Sequence, residues 1–354
     1  MNTTVSAVMV LLACGACGGQ TATSASDAGI LTYDAAPATT LEGACGAQSA
    51  AACAKRDTCT GGIGNQIDYG SASLCQSLVT AQCIAGLAAR DTATTLAHLN
   101  GCLAAYEVET CTEWADDDPP VACRSPMGTR ASGTACGEGS QCGSGFCLIG
   151  ENTECGTCQP MPQVGAPCTN ESSCGYSLAC AFDVPATSGT CTAWGGVGTS
   201  CDSLHQCQGG LGCVGASSET GASGTCQTGA AEGAACNNES GPACNGSLDL
   251  DCIDGTCQRQ ALVGPGSPCG EQANGAYNRC SGGAACVTPL GPCQLDTGAS
   301  CDGTMGGKCV APAANSAPCD TLKGPLCQVP AKCVRTSDAG TAGTCLAPDP
   351  ASCG

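Results

Sequence analysis

The chain has 354 residues, 38 of them cysteine, and a formal net charge of −19. Fifteen valines, 22 leucines, six isoleucines and two phenylalanines are too few for a conventional core, and with this charge they would describe a disordered chain were cysteine not so abundant. Eleven Lys and Arg, with no basic run beyond Lys55-Arg56, exclude a phosphate-neutralising surface, so no nucleic-acid partner is predicted.

Crosslinks can replace a missing core by restricting the unfolded chain, each worth roughly 3 kcal/mol for a loop of ~15 residues. So many thiols belong in an oxidising compartment. Zinc is the alternative use of cysteine, but it favours Cys with His and recurrent C-x-x-C pairs. Here there are two histidines, His98 and His205, and two such pairs, Cys14–Cys17 and Cys155–Cys158. Disulfides are therefore expected.

Residues 1–17 read as a signal peptide with a lipobox. Val5–Leu12 is too short an apolar run to span a bilayer. It ends in Leu11-Leu12-Ala13-Cys14, which resembles the bacterial signal at which a cysteine is lipidated; Met1-Asn2-Thr3-Thr4 carries no Lys or Arg. Cys14 is the predicted lipidation site, and an ordinary cleaved leader is the alternative. Residues 18–39, mostly Gly, Ser, Thr, Ala, Asp and Pro, read as a flexible tether. The expected location is the cell envelope, with the membrane reached only through this anchor, or otherwise secretion.

Residues 40–125 read as a cysteine-containing helical domain. Thr39-x-x-Glu42 is a capping-box pattern opening an Ala-rich helix that ends near Lys55. A second helix is predicted from Ser73 to about Ala89, with Leu74, Leu78, Ala81 and Ala85 beside Cys75, Val79, Cys83 and Leu87. A third covers Thr95 to about Tyr106. Asp116-Asp117-Asp118-Pro119-Pro120 reads as a solvated exit. The domain holds Cys45, Cys53, Cys59, Cys75, Cys83, Cys102, Cys111 and Cys123, enough for four bridges. Cys75 and Cys83 would stand about 12 Å apart along one helix, too far for a mutual bond, so each should reach a neighbouring helix.

Residues 130–354 repeat. The unit is Gly-x-x-Cys, five residues, Cys, about five residues, Cys, then a variable loop to a fourth Cys. The units fall at about 130–163, 164–196, 197–231, 232–263, 264–296, 297–314 and 315–354. Gly133 leads Cys136, Cys142, Cys147, Cys155 and Cys158; Gly165 leads Cys168, Cys174, Cys180 and Cys191; Gly198 leads Cys201, Cys207, Cys213 and Cys226. Gly233 leads Cys236, Cys244, Cys252 and Cys257; Gly266 leads Cys269, Cys280, Cys286 and Cys293; Gly298 leads only Cys301 and Cys309. The last unit, Cys319, Cys327, Cys333 and Cys345, lacks the leading glycine. Four cysteines permit three connectivities, which spacing leaves open. Five cysteines in the first unit and a solitary Cys353 require at least one bridge across unit boundaries.

Gly-x-x-Cys-x5-Cys-x2-Gly-Leu-x-Cys, as in Gly198 to Cys213, resembles the Dickkopf N-terminal cysteine-rich domain and the tandem cysteine-rich lipoproteins of high-G+C Gram-negative bacteria often assigned to it. The helical part, with Tyr69-Gly70 and its spaced cysteines, resembles the domain preceding such repeats. The resemblance implies a small disulfide-rich fold: a stapled helical domain followed by a tandem array of short, irregular or β, cysteine-knotted modules. The receptor binding of animal Dickkopf proteins is not carried over.

No catalytic, cofactor-binding or metal-binding residues are predicted. Cys155-x-x-Cys158 has the spacing of a redox pair, but Pro160 and Pro162 follow and no βαβ pattern surrounds it. Asp249-Leu-Asp251-Cys-Ile-Asp254-Gly255 has the opening of a calcium loop without its later ligands. His98 and His205 read as surface residues. Asn170, Asn238 and Asn245 stand in glycosylation sequons. The expected function is therefore non-catalytic: a surface-displayed or secreted protein presenting repeated modules to an unknown protein or glycan. The alternative is a protease inhibitor, with the loops between third and fourth cysteines as reactive loops and Arg335 as the one basic candidate inside one.

Overall fold

The computed structural model describes residues 37–150, 153–169, 174–181, 188–202, 206–216, 222–237, 240–271, 277–288, 291–292, 307–337 and 340–353. The lipobox with Cys14 and Cys17, the tether to residue 36, His205, Cys293 and Cys301 lie outside the described residues.

Five helices form a hub: α1 Leu41–Cys59, α2 Gly64–Asp68, α3 Ala72–Leu87, α4 Leu96–Tyr106 and α5 Cys111–Ala115. The expected cap at Thr39 is displaced by one residue. Thr40 caps α1, its hydroxyl accepting the Gly43 N–H, and the helix continues one turn past Lys55 to Cys59. Ser71 and Thr95 cap α3 and α4 in the same way. A capping box forms instead at α5, between Thr110 and Glu113.

Cys45–Cys83 and Cys53–Cys75 tie α1 to α3, so the two α3 cysteines do reach a neighbouring helix. Cys59–Cys111 ties α1 to α5, and Cys102–Cys123 ties α4 to a short 3-10 turn at Val121–Cys123. Ala44, Ala51, Tyr69, Leu99 and Leu103 are buried around these bridges.

The repeats are built on one frame. Within each, the first cysteine bonds the third and the second bonds the fourth: Cys168–Cys180 with Cys174–Cys191, Cys201–Cys213 with Cys207–Cys226, and Cys236–Cys252 with Cys244–Cys257. The same holds for Cys319–Cys333 with Cys327–Cys345, and for Cys136–Cys147 with Cys142–Cys158 once the additional Cys155 is set aside, Cys158 taking the place of the fourth cysteine. The third and fourth cysteines face each other across an antiparallel hairpin, as Cys213 faces Cys226 between the strands Leu211–Val214 and Gly224–Thr228. A two-residue strand at the first cysteine pairs with the outer side of that hairpin, as Ser200–Cys201 does. In the second repeat the buried cluster is Cys168, Cys174, Cys180 and Cys191, so sulfur is the core.

The leading glycine has a specific task. Gly133, Gly165, Gly198, Gly233 and Gly266 all have φ between +80° and +88°, a region costly for other residues. That turn aims each N–H at the carbonyl of the fourth cysteine, at 2.7–2.9 Å. Ser316 fills the position in the last repeat with φ +66°, donating to Cys345 at 2.7 Å.

The same bond resolves the fifth repeat. Gly266 donates to Cys309, and the bridges are Cys269–Cys286 and Cys280–Cys309. The segments expected as separate units at 264–296 and 297–314 thus share one sheet and one bridge pair, with Cys309 as the fourth cysteine in place of Cys293. Spacing misled here because an insertion carrying its own Gly-x-x-Cys lies between the third and fourth cysteines. The frame occurs six times among the described residues.

The modules are wound around the hub rather than strung out from it. Arg130 of the first module donates to the Arg90 carbonyl at 3.1 Å and pairs with Asp91 at 3.2 Å. In the second, the Tyr176 hydroxyl accepts the Ser125 N–H at 3.1 Å. At the entry to the third, Trp194 donates to the Asp116 carbonyl at 3.0 Å, and the Gly209 N–H reaches the Asp116 carboxylate at 2.6 Å. The fourth sends Arg259 to the Gly61 carbonyl at 3.0 Å. In the fifth, Gly282 and Gly283 donate to Gln66 and Ile67 carbonyls at 2.8 and 2.7 Å. A Cβ at Gly283 would lie 2.8 Å from the Asp68 oxygen, so only glycine permits that approach. In the sixth, Gln328 donates to the Asp68 carbonyl at 3.2 Å. The C-terminal turn Pro350–Ser352 returns to α3 and the first module. There Cys155–Cys353 closes the circuit across 198 residues, the cross-boundary bridge that parity required.

Candidate functional site

The protein is thus small-module and disulfide-rich, with 17 bridges among the described residues, a helical N-terminal part and many short strands in small sheets. No described helix is long and apolar enough to cross a membrane. The disulfide content fits an oxidising, extracytoplasmic setting.

A concavity lies where the hub meets the first module. It is a cleft of 260 Å³ between α1, α3, α4 and the turn around Glu138–Ser140. Ala52, Val79, Leu87, Leu99 and Pro126 make part of the lining apolar. Its polar groups include Ser49 from α1, Gln82 from α3, Thr94, and His98 and Tyr106 from α4, with Gln48, Ser125, Glu138 and Ser140 beside them in the lining. Ser49 is 1% exposed and its Oγ has no hydrogen-bond partner. The cleft is covalently framed, because Cys83 and Cys123 line it and are bonded to Cys45 and Cys102.

Two of its titratable groups are held neutral. Burial pushes the Tyr106 hydroxyl up to about 12, with the nearby Glu109 charge adding to the effect. Burial lowers the His98 imidazole below its ordinary 6.5. His98 is therefore half-buried in the cleft, not the surface residue expected from its helix face. The remaining acid, Glu138, accepts the Thr92 hydroxyl at 2.9 Å and is bonded to Ser140.

Below the cleft α1 buries a second polar pair. Lys55 is 1% exposed and donates to the Glu109 carbonyl at 2.5 Å. Burial pushes Glu109 up to about 7, opposed by Lys55 and reinforced by Glu113 and Asp118. Burial likewise lowers Lys55 from its usual range.

The other sequence candidates have structural duties. Cys155 and Cys158 bond Cys353 and Cys142, not each other, so the redox-pair spacing carries no dithiol. Asp249, with φ +57°, is ion-paired with Arg279, and Asp251 accepts from Gln260, so the calcium-loop acids are committed within and beside one hairpin. Asp116 is 4% exposed and binds the third module, so the acidic run is no solvated exit; Asp118 pairs with Arg124 at 2.7 Å. Asn245 caps a 3-10 turn. Arg335 lies in the strand Lys332–Arg335, opposite Gly343. Cysteine sulfurs gather within 4.8 Å in each module, but they are disulfide-bonded and offer no thiolate.

Three features escaped sequence reasoning. Ser49, in an Ala-rich run, gives no signal. Lys55 falls at an expected helix end, where solvent exposure is the default. Gln141, fully buried, accepts from Gly137 N–H at 2.7 Å and donates to the Arg90 carbonyl at 2.7 Å. No family model, curated protein or solved structure matches the chain.

Proposed function

We propose that the protein is a non-catalytic, surface-displayed or secreted scaffold whose hairpin loops contact a protein or glycan partner. One observation carries this reading. The disulfide frame is constant, while the segment between third and fourth cysteines varies from four residues (Cys252 to Cys257) to 22 (Cys286 to Cys309). A frame that tolerates such variation at the tips of its hairpins has the organisation of recognition loops on a rigid support. Several loops on one body can engage a partner together, raising avidity without a larger core. The modules are Dickkopf-like in cysteine spacing, and Cys14 is the proposed lipid anchor.

The test exchanges residues 287–308 for the four-residue segment 253–256. The swapped chain should keep its other disulfides and lose capture of the surface partner recovered by the parent. Undiminished capture after shortening this loop and the loop 214–225 would refute the reading. For the anchor, Cys14→Ala should abolish fatty-acid incorporation; unchanged incorporation would refute it.

A further inference from the structure

We propose that the cleft between hub and first module binds a single uncharged, hydroxyl-rich ring, the size of one monosaccharide. The proposal does not involve the hairpin loops, since no described residue of one lines the cleft.

Size comes first. At 260 Å³ the cleft falls just under the range of about 300–1,000 Å³ typical of small-molecule pockets. It holds one ring, not a chain of them.

Hydrogen-bonding character comes next. Ser49, buried in the cleft's lining, has no hydrogen-bond partner for its Oγ, and a ligand seated in the cleft would have to reach it at the inner end. A buried hydroxyl in this state is destabilising unless something supplies a bond. The same cleft is lined by Tyr106 and Thr94, by Gln82 and by the neutral His98 ring. Each of these groups can both donate and accept. Ligand hydroxyls have the same dual character and are matched by such a set. A phosphate or carboxylate needs donors alone and a cation, and no Lys or Arg lines the cleft. Its one acidic residue, Glu138, and the net charge of −19 further disfavour anions.

The apolar part of the lining favours a sugar over a more fully polar solute. Val79, Leu87, Leu99 and Pro126 contribute it. A pyranose ring has C–H faces to set against such side chains and hydroxyls around its rim for the polar groups. The frame is preorganised by Cys45–Cys83 and Cys102–Cys123, which lowers the ordering cost of binding.

The experiment is calorimetric titration of the full chain with glucose, galactose, mannose and N-acetylglucosamine, with glucuronate and inorganic phosphate alongside. At least one neutral sugar should bind saturably with Kd at or below about 10 mM. Ser49→Ala should weaken it about fivefold to tenfold with an unchanged or raised Tm, since the orphaned hydroxyl is removed. Tyr106→Phe should weaken it similarly. The proposal is overturned if no neutral sugar binds saturably, if glucuronate or phosphate binds more tightly, or if both variants bind as the parent does.

Discussion

Removing Cys155–Cys353 by the double substitution Cys155→Ser, Cys353→Ser opens the circuit of modules. Taken alone, a loop of 198 residues closed by one bridge is worth about 5.3 kcal/mol of unfolded-chain entropy. The bridges inside that loop remain in the unfolded chain and shorten its free contour to roughly 100 residues, for which the value is about 4.7 kcal/mol. The dependence on length is logarithmic, so the correction is small. Arg130 still holds the Cys353 carbonyl at 2.5 Å and the Pro350–Ser352 turn still packs on α3, so the native tail stays in place. Bridges commonly deliver somewhat less than the chain-entropy figure, so a loss of about 3–4 kcal/mol is expected. Guanidinium titration followed by near-ultraviolet circular dichroism reads it as a lower midpoint, and hydrogen exchange should rise first in residues 346–353. A loss under about 0.5 kcal/mol, with unchanged exchange at the tail, would refute the view that the modules form a covalently closed ring.

Three further outcomes follow from the geometry. Gly198→Ala should cost about 1–2 kcal/mol by backbone strain alone, since its Cβ would meet nothing within 4 Å, whereas Ser316→Gly should stabilise by about 1 kcal/mol; thermal midpoints check both. Asp116→Ala leaves the Gly209 N–H without its acceptor and should cost about 1–3 kcal/mol, visible as faster exchange in the third module and altered Trp194 fluorescence. Glu109 is raised from 4.5 to about 7 on folding, so its contribution is fully present below pH 4.5 and lost as pH rises through about 7. Stability should fall by about 1–3 kcal/mol between about pH 5 and pH 8, and Glu109→Gln should flatten that slope in pH-dependent denaturant titrations.

The class of fold was legible because cysteine spacing is a direct record of covalent geometry. Cys75 and Cys83, eight residues apart on one helix, dictated separate partners, and α1 supplies both. An odd count in the first module dictated a long-range bridge, and Cys155–Cys353 is that bridge. The connectivity within modules was not legible, since three pairings fit one spacing. What selects the observed one is three-dimensional: a positive-φ turn that presents the first cysteine to the hairpin. The winding around the hub was hidden because it rests on scattered single contacts, main-chain bonds such as Gly282 to Gln66 and side chains such as Trp194 and Arg259 that meet backbone carbonyls, which share no spacing or pattern. The cleft was hidden for a related reason. Ser49, Thr94, His98, Tyr106 and Glu138 come from four separate segments, and only the return of the first module onto α3 and α4 assembles them.

Digestion of the native protein without reduction, followed by mass spectrometry of the linked peptides, tests the architecture most directly. The account predicts a first-to-third link in every module and a second link from the second cysteine to the last of its frame, with Cys142 joined to Cys158, Cys280 to Cys309 and Cys155 to Cys353. Recovery of Cys280 joined to Cys293, or of Cys155 bonded within the first module, would contradict it.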